Sequence, residues 1–264
     1  MIKQNLHCHT TYDDGKNTPE EMVLAAEKAG LRSLGISIHG YIPGEGWTAT
    51  EENEKTHVEE LYRLKEKYAG RFNVYCGIEY DIMGPRNFDG YEYIIGSAHV
   101  LGDHLYADSS CENAKLTIAH FGSAESAAER YFANCASLAE IPEISVVGHF
   151  DLLTKYDEQA HLYDSSAPRF REAAYAAREK LNGAEKIFEI NTGAISRGYR
   201  TTPYPSPELL KQLQALGGRI CVSSDAHDAE NVACCFGMAE ELAVSCGFKE
   251  YWVFDGEKFI PEKF

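Results

Sequence analysis

Seven short apolar runs in this chain each stop at a histidine, a carboxylate or an arginine, and no other feature constrains its fold so tightly. The first, residues 2–6, stops at His7-Cys8-His9, and the last, residues 219–223, stops at Ser224-Asp225-Ala226-His227. Between them His39, Glu79, His99, His149 and Arg197 each stand at or just after the end of such a run. Residues this far apart in sequence can meet only if the strands run parallel and their C-terminal ends share one rim. Barrels carry their reactive groups on such a rim. The pattern predicts a metal-binding centre there.

Strand-like runs near 2–6, 33–38, 73–78, 92–97, 144–147, 187–191 and 219–223 alternate with helix-like segments. Thr18-Pro19-Glu20-Glu21 opens one helix with an N-cap, a proline in the first turn and an acidic start. Met22, Ala25, Ala26 and Ala29 keep helical spacing, and Gly30 closes the segment. Further helices are expected over 51–69, 123–139, 168–182, 206–216 and 229–246. Strand-then-helix repetition implies parallel strands joined by right-handed crossovers. An open sheet would gather its ligands at one switch point, whereas here nearly every strand supplies one. The expected fold is therefore α/β: a distorted, TIM-like (β/α)7 barrel forming one domain over residues 1–264. Tyr251 to Ile260 reads as a C-terminal β-hairpin, turning at Asp255-Gly256 through a type I′ turn and covering the barrel.

Composition narrows the partners. The 25 basic residues face 41 acidic ones, and the net charge of −16 repels long nucleic acid and anionic membranes. A single phosphate can still bind where metals and one arginine reverse the local sign. No apolar run approaches the roughly 20 residues that span a bilayer, and no signal-like segment is visible, so the cytoplasm is the expected compartment. The eight cysteines form no C-x-x-C pair, and Cys234-Cys235 are adjacent, which suits reduced, mostly buried thiols. Strand alternation turns Cys8 away from the side occupied by His7 and His9.

His7-x-His9 places two imidazoles on one side of a strand end, close enough for one ion. Asp14 follows in Asp13-Asp14-Gly15, which also reads as ordinary turn chemistry. His39 and Glu79 close very apolar strands, and a carboxylate there must be paired, metal-bound or exposed. Singly, His99 or His149 reads as a hydrogen-bonded structural histidine; at matching ends of successive strands they read as ligands. With Asp225 and His227 the set reaches six histidines and three carboxylates, too many for one ion. Two or three divalent ions with a bridging carboxylate account for it. Nitrogen and oxygen donors without thiolate suit zinc, manganese or iron. Clustered metals are well placed for in-line phosphoryl displacement on a small phosphorylated substrate. His57 and His161 lie in charged or polar stretches, and His104 and His120 in the long connection after His99. These four read as structural or solvated.

Taken together, His7-Cys8-His9-Thr10, Asp14-Gly15, Ile36-Ser37-Ile38-His39, Gly77-Ile78-Glu79, Gly96-Ser97-Ala98-His99, Gly148-His149-Phe150-Asp151, Glu189-Ile190-Asn191-Thr192 and Ser224-Asp225-Ala226-His227 resemble the polymerase and histidinol phosphatase (PHP) family of metal-dependent phosphoesterases. The resemblance implies a three-metal site. His7, His9, Glu79 and Asp225 would hold one ion, and Glu79, His99 and His149 a second, with Glu79 bridging. Asp14, His39 and His227 would hold the third. The stretch from Glu189 through Arg197 to Pro205 is most similar to the histidinol-phosphatase branch. That likeness implies hydrolysis of L-histidinol phosphate by a hydroxide bridging two metals, with Glu79, Asp225, His227 and Arg197 in the catalytic set. Arg197 would bind the substrate phosphate, a bidentate task suited to guanidinium. Asp81 and Asp108 are candidates to attract a cationic amino alcohol. Ile38 stands where the family commonly has aspartate, which implies a missing partner for His39. A nucleotide or another phosphoester is the alternative substrate. A metal-binding regulatory protein with a decayed site is the non-enzymatic alternative. A metal-dependent amidohydrolase would need a ligand lysine at a middle strand end, and none stands there.

Overall fold

The computed structural model describes residues 1–102 and 104–264. Seven parallel strands follow one another around a barrel: β1 (Gln4–Asn5), β2 (Ser33–His39), β3 (Asn73–Asp81), β4 (Tyr93–Ser97), β5 (Ile144–Val147), β6 (Ile187–Asn191) and β7 (Arg219–Ser223). Each pairs with the next barrel strand in sequence, so the sheet has no switch point. β2 and β3 stay in register to their last shared pair, His39 beside Glu79, which sets two expected ligands side by side at the rim.

Alternation decides which side chains reach the barrel interior. Leu34, Ile36 and Ile38 on β2, and Val74, Cys76 and Ile78 on β3, join the core between sheet and helices. The intervening positions, ending in His39 and Glu79, turn inward. A second core of Leu6, Tyr75, Tyr93, Ile95, Val146, Ile187 and Cys221 fills the N-terminal part of the interior. Tyr93 lies between Gly35 and Gly77, where a β-carbon on either would overlap its ring, and its hydroxyl donates to the Leu6 carbonyl at 2.5 Å. The interior is thus apolar below and polar only where the strands end.

A C-terminal hairpin, Glu250–Phe254 against Phe259–Lys263, plugs the apolar end by placing Phe254 in that second core. The Gln4 amide fastens it, donating to the Phe254 carbonyl at 2.8 Å and accepting from its N–H at 2.7 Å. Its turn differs from the expected type I′, which needs positive φ at both central residues. Residues 255–258 form a four-residue loop instead. The Asp255 carboxylate accepts from the N–H groups of Glu257 and Lys258 at 2.9 Å each, and only Gly256 takes a positive φ, of 107°.

Closure of the barrel combines one backbone bridge with one side chain. β1 and β7 share no ladder among the described residues, only a bridge between Cys8 and Ala226. Asn5 spans the gap: its amide nitrogen donates to Ser224 Oγ at 2.7 Å and to the Val232 carbonyl at 2.8 Å, while Oδ1 accepts from the Ser224 N–H at 3.2 Å. A short first strand therefore still completes the cylinder.

The helices Pro19–Lys28, Glu51–Lys67, Ala124–Ser137, Pro168–Gly183 and Pro207–Ala215 stand where sequence periodicity puts them. Thr18 and Glu21 form a reciprocal capping box on the first. The expected helix over 229–246 is broken into a 3-10 turn, Ala229–Asn231, and a helix, Phe236–Ser245. Cys235 between them has φ of 59°, which no continuous right-handed helix accommodates. The connection after β4 contains structure that periodicity does not announce: a two-stranded ribbon, Val100–Gly102 with Leu105–Tyr106, and the helix Cys111–Phe121. Ser110 caps that helix and Gly122 ends it at φ of 83°. All eight cysteines are free. No helix among the described residues is long and apolar enough to cross a membrane.

Candidate metal centre

All nine expected ligands converge on the rim. Four groups of donor atoms approach within ion-binding range: His7, His9 and Glu79; His39, Glu79 and His99; His7, His149 and Asp225; and His9, Asp14, His39 and His227. Glu79 sits at the middle with its two oxygens facing different neighbours. Oε1 lies 2.8 Å from His149 Nε2 and 3.5 Å from His99 Nε2. Oε2 lies 2.8 Å from His39 Nδ1, 3.2 Å from His7 Nε2 and 3.7 Å from His9 Nε2. This division is what a carboxylate bridging two ions requires. The expected third set appears with His9 added: His227 Nε2 is 3.2 Å and His39 Nε2 3.8 Å from Asp14 Oδ1.

Partners behind the ligands fix which nitrogen faces inward. His7 Nδ1 lies 2.7 Å from Glu189 Oε1, and His9 Nδ1 lies 2.6 Å from Asp13 Oδ2. A ring whose Nδ1 donates to a carboxylate presents an unprotonated Nε2, the usual arrangement for a metal-bound histidine. Both Nε2 atoms are buried and, with Glu79 Oε2, lack a hydrogen-bond partner among the described residues. Lone pairs aimed at carboxylate oxygens need a cation between them, so the donor set fits divalent ions.

The electrostatics agree. Burial would push the Glu79 carboxyl up, but the rings of His7, His99 and His39 carry it well below the ordinary carboxylate range. For Asp225, Arg197 and His7 likewise outweigh burial and hold its carboxyl well below that range. Burial would lower His9, yet Asp13 and Asp225 bring it up to about 10. The pocket draws positive charge, supplied by protons or by metal.

Two carboxylates outside the expected set, Asp13 and Glu189, stand behind these histidines. Asp13 reads as turn chemistry, yet its carboxylate also accepts from the N–H groups of Thr10 and His39 at 2.8 Å. It therefore positions both histidines. Glu189 on β6 also accepts from the His149 N–H at 3.0 Å and from Asn191 Nδ2 at 2.8 Å. Its signal was available, since a carboxylate inside an apolar strand must have a partner. Asp81, expected near the substrate, is instead buried against His99, accepting from its N–H at 2.6 Å and lying 3.2 Å from its Nδ1. The Ile38 side chain faces the outer core, and the Asp13 carboxylate accepts from the His39 backbone N–H.

Above the ligands opens a cleft of about 300 Å³ with Trp47, Tyr106, Asp108, Lys155, Arg197 and Tyr199 on its walls. The Arg197 guanidinium donates to Asp225 Oδ2 at 3.0 Å and to the Asp225 carbonyl at 2.8 Å, with His227 Nδ1 3.0 Å away. Lys155, which no periodicity singles out, pairs with Asp108 Oδ2 at 2.9 Å and lies 4.9 Å over the Tyr199 ring. Trp47 meets His39 edge-on at 4.7 Å. The remaining histidines stay out of the cluster. His57 is wholly buried, 3.2 Å from the Gly77 carbonyl, and His104 is exposed beside Glu45.

Comparison with known proteins points the same way. The PHP domain family model matches residues 5–193. A probable histidinol-phosphatase of Schizosaccharomyces pombe is 26% identical over 254 residues, covering 86% of this chain and 81% of that one. A probable histidinol-phosphatase of Deinococcus radiodurans is 26% identical over 248 residues, covering 88% and 89%. Among solved structures, histidinol phosphate phosphatase from Lactococcus lactis, complexed with zinc, L-histidinol and phosphate, aligns with a TM-score of 0.76 at 22% identity over 98% of each chain.

Proposed function

The chain belongs to the PHP domain family, and from that premise we propose that it is a metal-dependent phosphatase releasing phosphate from L-histidinol phosphate, in the cytoplasm, as a step of histidine biosynthesis. The observation that carries the reading is the placement of Arg197 beside the nine-ligand cluster at the floor of one cleft. Two or three divalent ions, zinc first among them, would be held by His7, His9, Asp14, His39, Glu79, His99, His149, Asp225 and His227. When bound, they supply a nucleophilic water at neutral pH and neutralise phosphate oxygens.

The chain's own groups do the rest. Arg197 offers a planar pair of donors to phosphate oxygens and, through Asp225, is aligned with the ligand set. Stabilising charge that develops on those oxygens is the largest single contribution such a site makes. Lys155 adds a second cation, and Asp108 offers the carboxylate that suits an amino alcohol. Trp47 and Tyr106 wall the cleft. Its volume of about 300 Å³ lies at the small end for ligand pockets, which favours a compact monoester over a nucleotide.

Purified protein supplemented with zinc or manganese should release phosphate from L-histidinol phosphate faster than from nucleotides or other small monoesters. Wild-type release no faster than that of Asp225→Asn would overturn the reading.

A further inference from the structure

Two adjacent cysteines stand apart from the other thiols. Cys8, Cys76, Cys135, Cys221 and Cys246 are buried, whereas Cys111, Cys234 and Cys235 are part-exposed. Cys234 and Cys235 lie between the turn Ala229–Asn231 and the helix Phe236–Ser245, of which Cys235 is the N-cap. In an extended chain neighbouring side chains point to opposite sides. Here Cys235 takes a left-handed backbone, φ 59° and ψ 19°, and the two sulfurs meet 3.3 Å apart, one thiol donating to the other. That backbone is costly for a residue with a β-carbon and persists only where its surroundings enforce it. The surroundings are hydrogen bonds to the barrel. The Cys234 carbonyl accepts from Thr192 Oγ1 at 2.8 Å, and the Val232 carbonyl accepts from the Asn5 amide at 2.8 Å and Ser224 Oγ at 3.1 Å.

We propose that Cys234 and Cys235 form a reversible redox site, a dithiol that hydroperoxides close into a disulfide between neighbouring residues. Burial and the adjoining Cys235 push the Cys234 thiol up to about 11, so Cys234 keeps its proton at neutral pH and attack falls to Cys235. The Cys235 sulfur bonds to one peroxide oxygen, the O–O bond breaks, and water leaves with the thiol proton. Cys234 then attacks the resulting sulfenic acid. The S–S bond forms, the S–O bond breaks, and a second water carries off the Cys234 proton. Two thiols and one hydrogen peroxide thus give one disulfide and two waters. Neighbouring α-carbons lie about 3.8 Å apart across a trans peptide, short of the roughly 4.4–6.8 Å usual for a disulfide. The bond is therefore strained and opens readily to a thiol reductant, as labile redox disulfides do.

The test treats zinc-loaded full-length protein with one equivalent of hydrogen peroxide, alkylates it under denaturing conditions with iodoacetamide, and weighs the proteolytic peptides. The peptide holding Cys234 and Cys235 should be unalkylated and lighter by two hydrogens, while Cys111 is recovered as an alkylated thiol. Reduced glutathione should restore both thiols. In Cys234→Ser, dimedone present during oxidation should label Cys235 as its sulfenic acid, whereas in Cys235→Ser it should leave Cys234 unlabelled. Oxidation of Cys111 ahead of the pair, a disulfide between two copies of the chain, or added oxygen on either sulfur without the bond would overturn the proposal. Dimedone labelling of Cys234 in Cys235→Ser would overturn the assignment of attack to Cys235. The wild-type peptide mass decides the matter without either variant, and no readout depends on phosphatase activity.

Discussion

Replacing Glu189 by glutamine alters one atom behind the metal ligands and removes one charge. Three donors converge on its two oxygens: the His7 ring at 2.7 Å on Oε1, and the His149 N–H at 3.0 Å and Asn191 Nδ2 at 2.8 Å on Oε2. Glutamine has one oxygen, so it can serve one side only. If that oxygen stays on His7, the new amide group faces two other donors, and two buried groups go unmet. At about 1–3 kcal/mol each, that costs about 2–6 kcal/mol of stability. If the amide turns round, its NH2 faces His7 Nδ1 and drives the ring proton to Nε2. That atom lies 3.2 Å from Glu79 Oε2, and a proton there removes the lone pair an ion needs. Partners behind metal ligands are typically worth 10–100-fold in affinity. Zinc affinity of Glu189→Gln, measured by competition with a chromophoric chelator, should therefore fall at least about tenfold. Glu92→Gln is the control. Glu92 pairs with Lys65 and accepts from the Cys76 N–H at 2.9 Å, away from the ligand set, so its loss should cost stability but not affinity. Wild-type zinc affinity in Glu189→Gln, or equal weakening in Glu92→Gln, would refute the reasoning.

Three further outcomes are expected. Arg197→Lys keeps the charge but loses the planar donor pair, so kcat for L-histidinol phosphate should fall by about 10²–10³, and a near-native rate in a steady-state assay would remove Arg197 from catalysis. Burial depresses the His57 pKa from its ordinary 6.5 to about 4, so between those values the unfolded chain binds a proton that the folded chain refuses. Stability from this group is complete above pH 6.5 and is lost as pH falls towards 4, by up to about 3 kcal/mol. Urea titrations across that window should show a flatter pH dependence for His57→Gln than for wild type, and parallel curves would contradict the assignment. Gly77→Ala forces a methyl into the Tyr93 ring and should cost about 1–3 kcal/mol in urea denaturation, where an unchanged midpoint would show that the barrel interior yields.

Much of the centre was legible because strand ends are local. An apolar run followed by His39, Glu79, His99 or His149 marks a strand and the candidate ligand on its tip, and parallel order then brings the tips together. The positions that escaped were those whose role depends on a partner across the barrel. Asp13 looks like a turn residue until His9 and His39 are placed beside it, and Lys155 has no pattern until Asp108 and Tyr199 flank it. Ile38 departs from the family's habit, and only the pleat of the folded strand shows that its side chain goes to the outer core. The break at Cys235 and the helix Cys111–Phe121 were missed because single-residue dihedrals and caps, rather than periodicity, delimit them.

By itself the sequence determined the number and order of the parallel strands, the candidate ligands and the family, since all three depend on short-range alternation and on motifs. Only the tertiary structure decided which donor atoms come within ion-binding range of one another, that Glu79 divides its oxygens between two sets of imidazoles, and that Asn5 bonds across the seam of the cylinder. Those outcomes depend on how strands from opposite ends of the chain tilt and meet. A contact between Asn5 and Ser224 is set by barrel closure, a property of the whole sheet that no local window of residues contains.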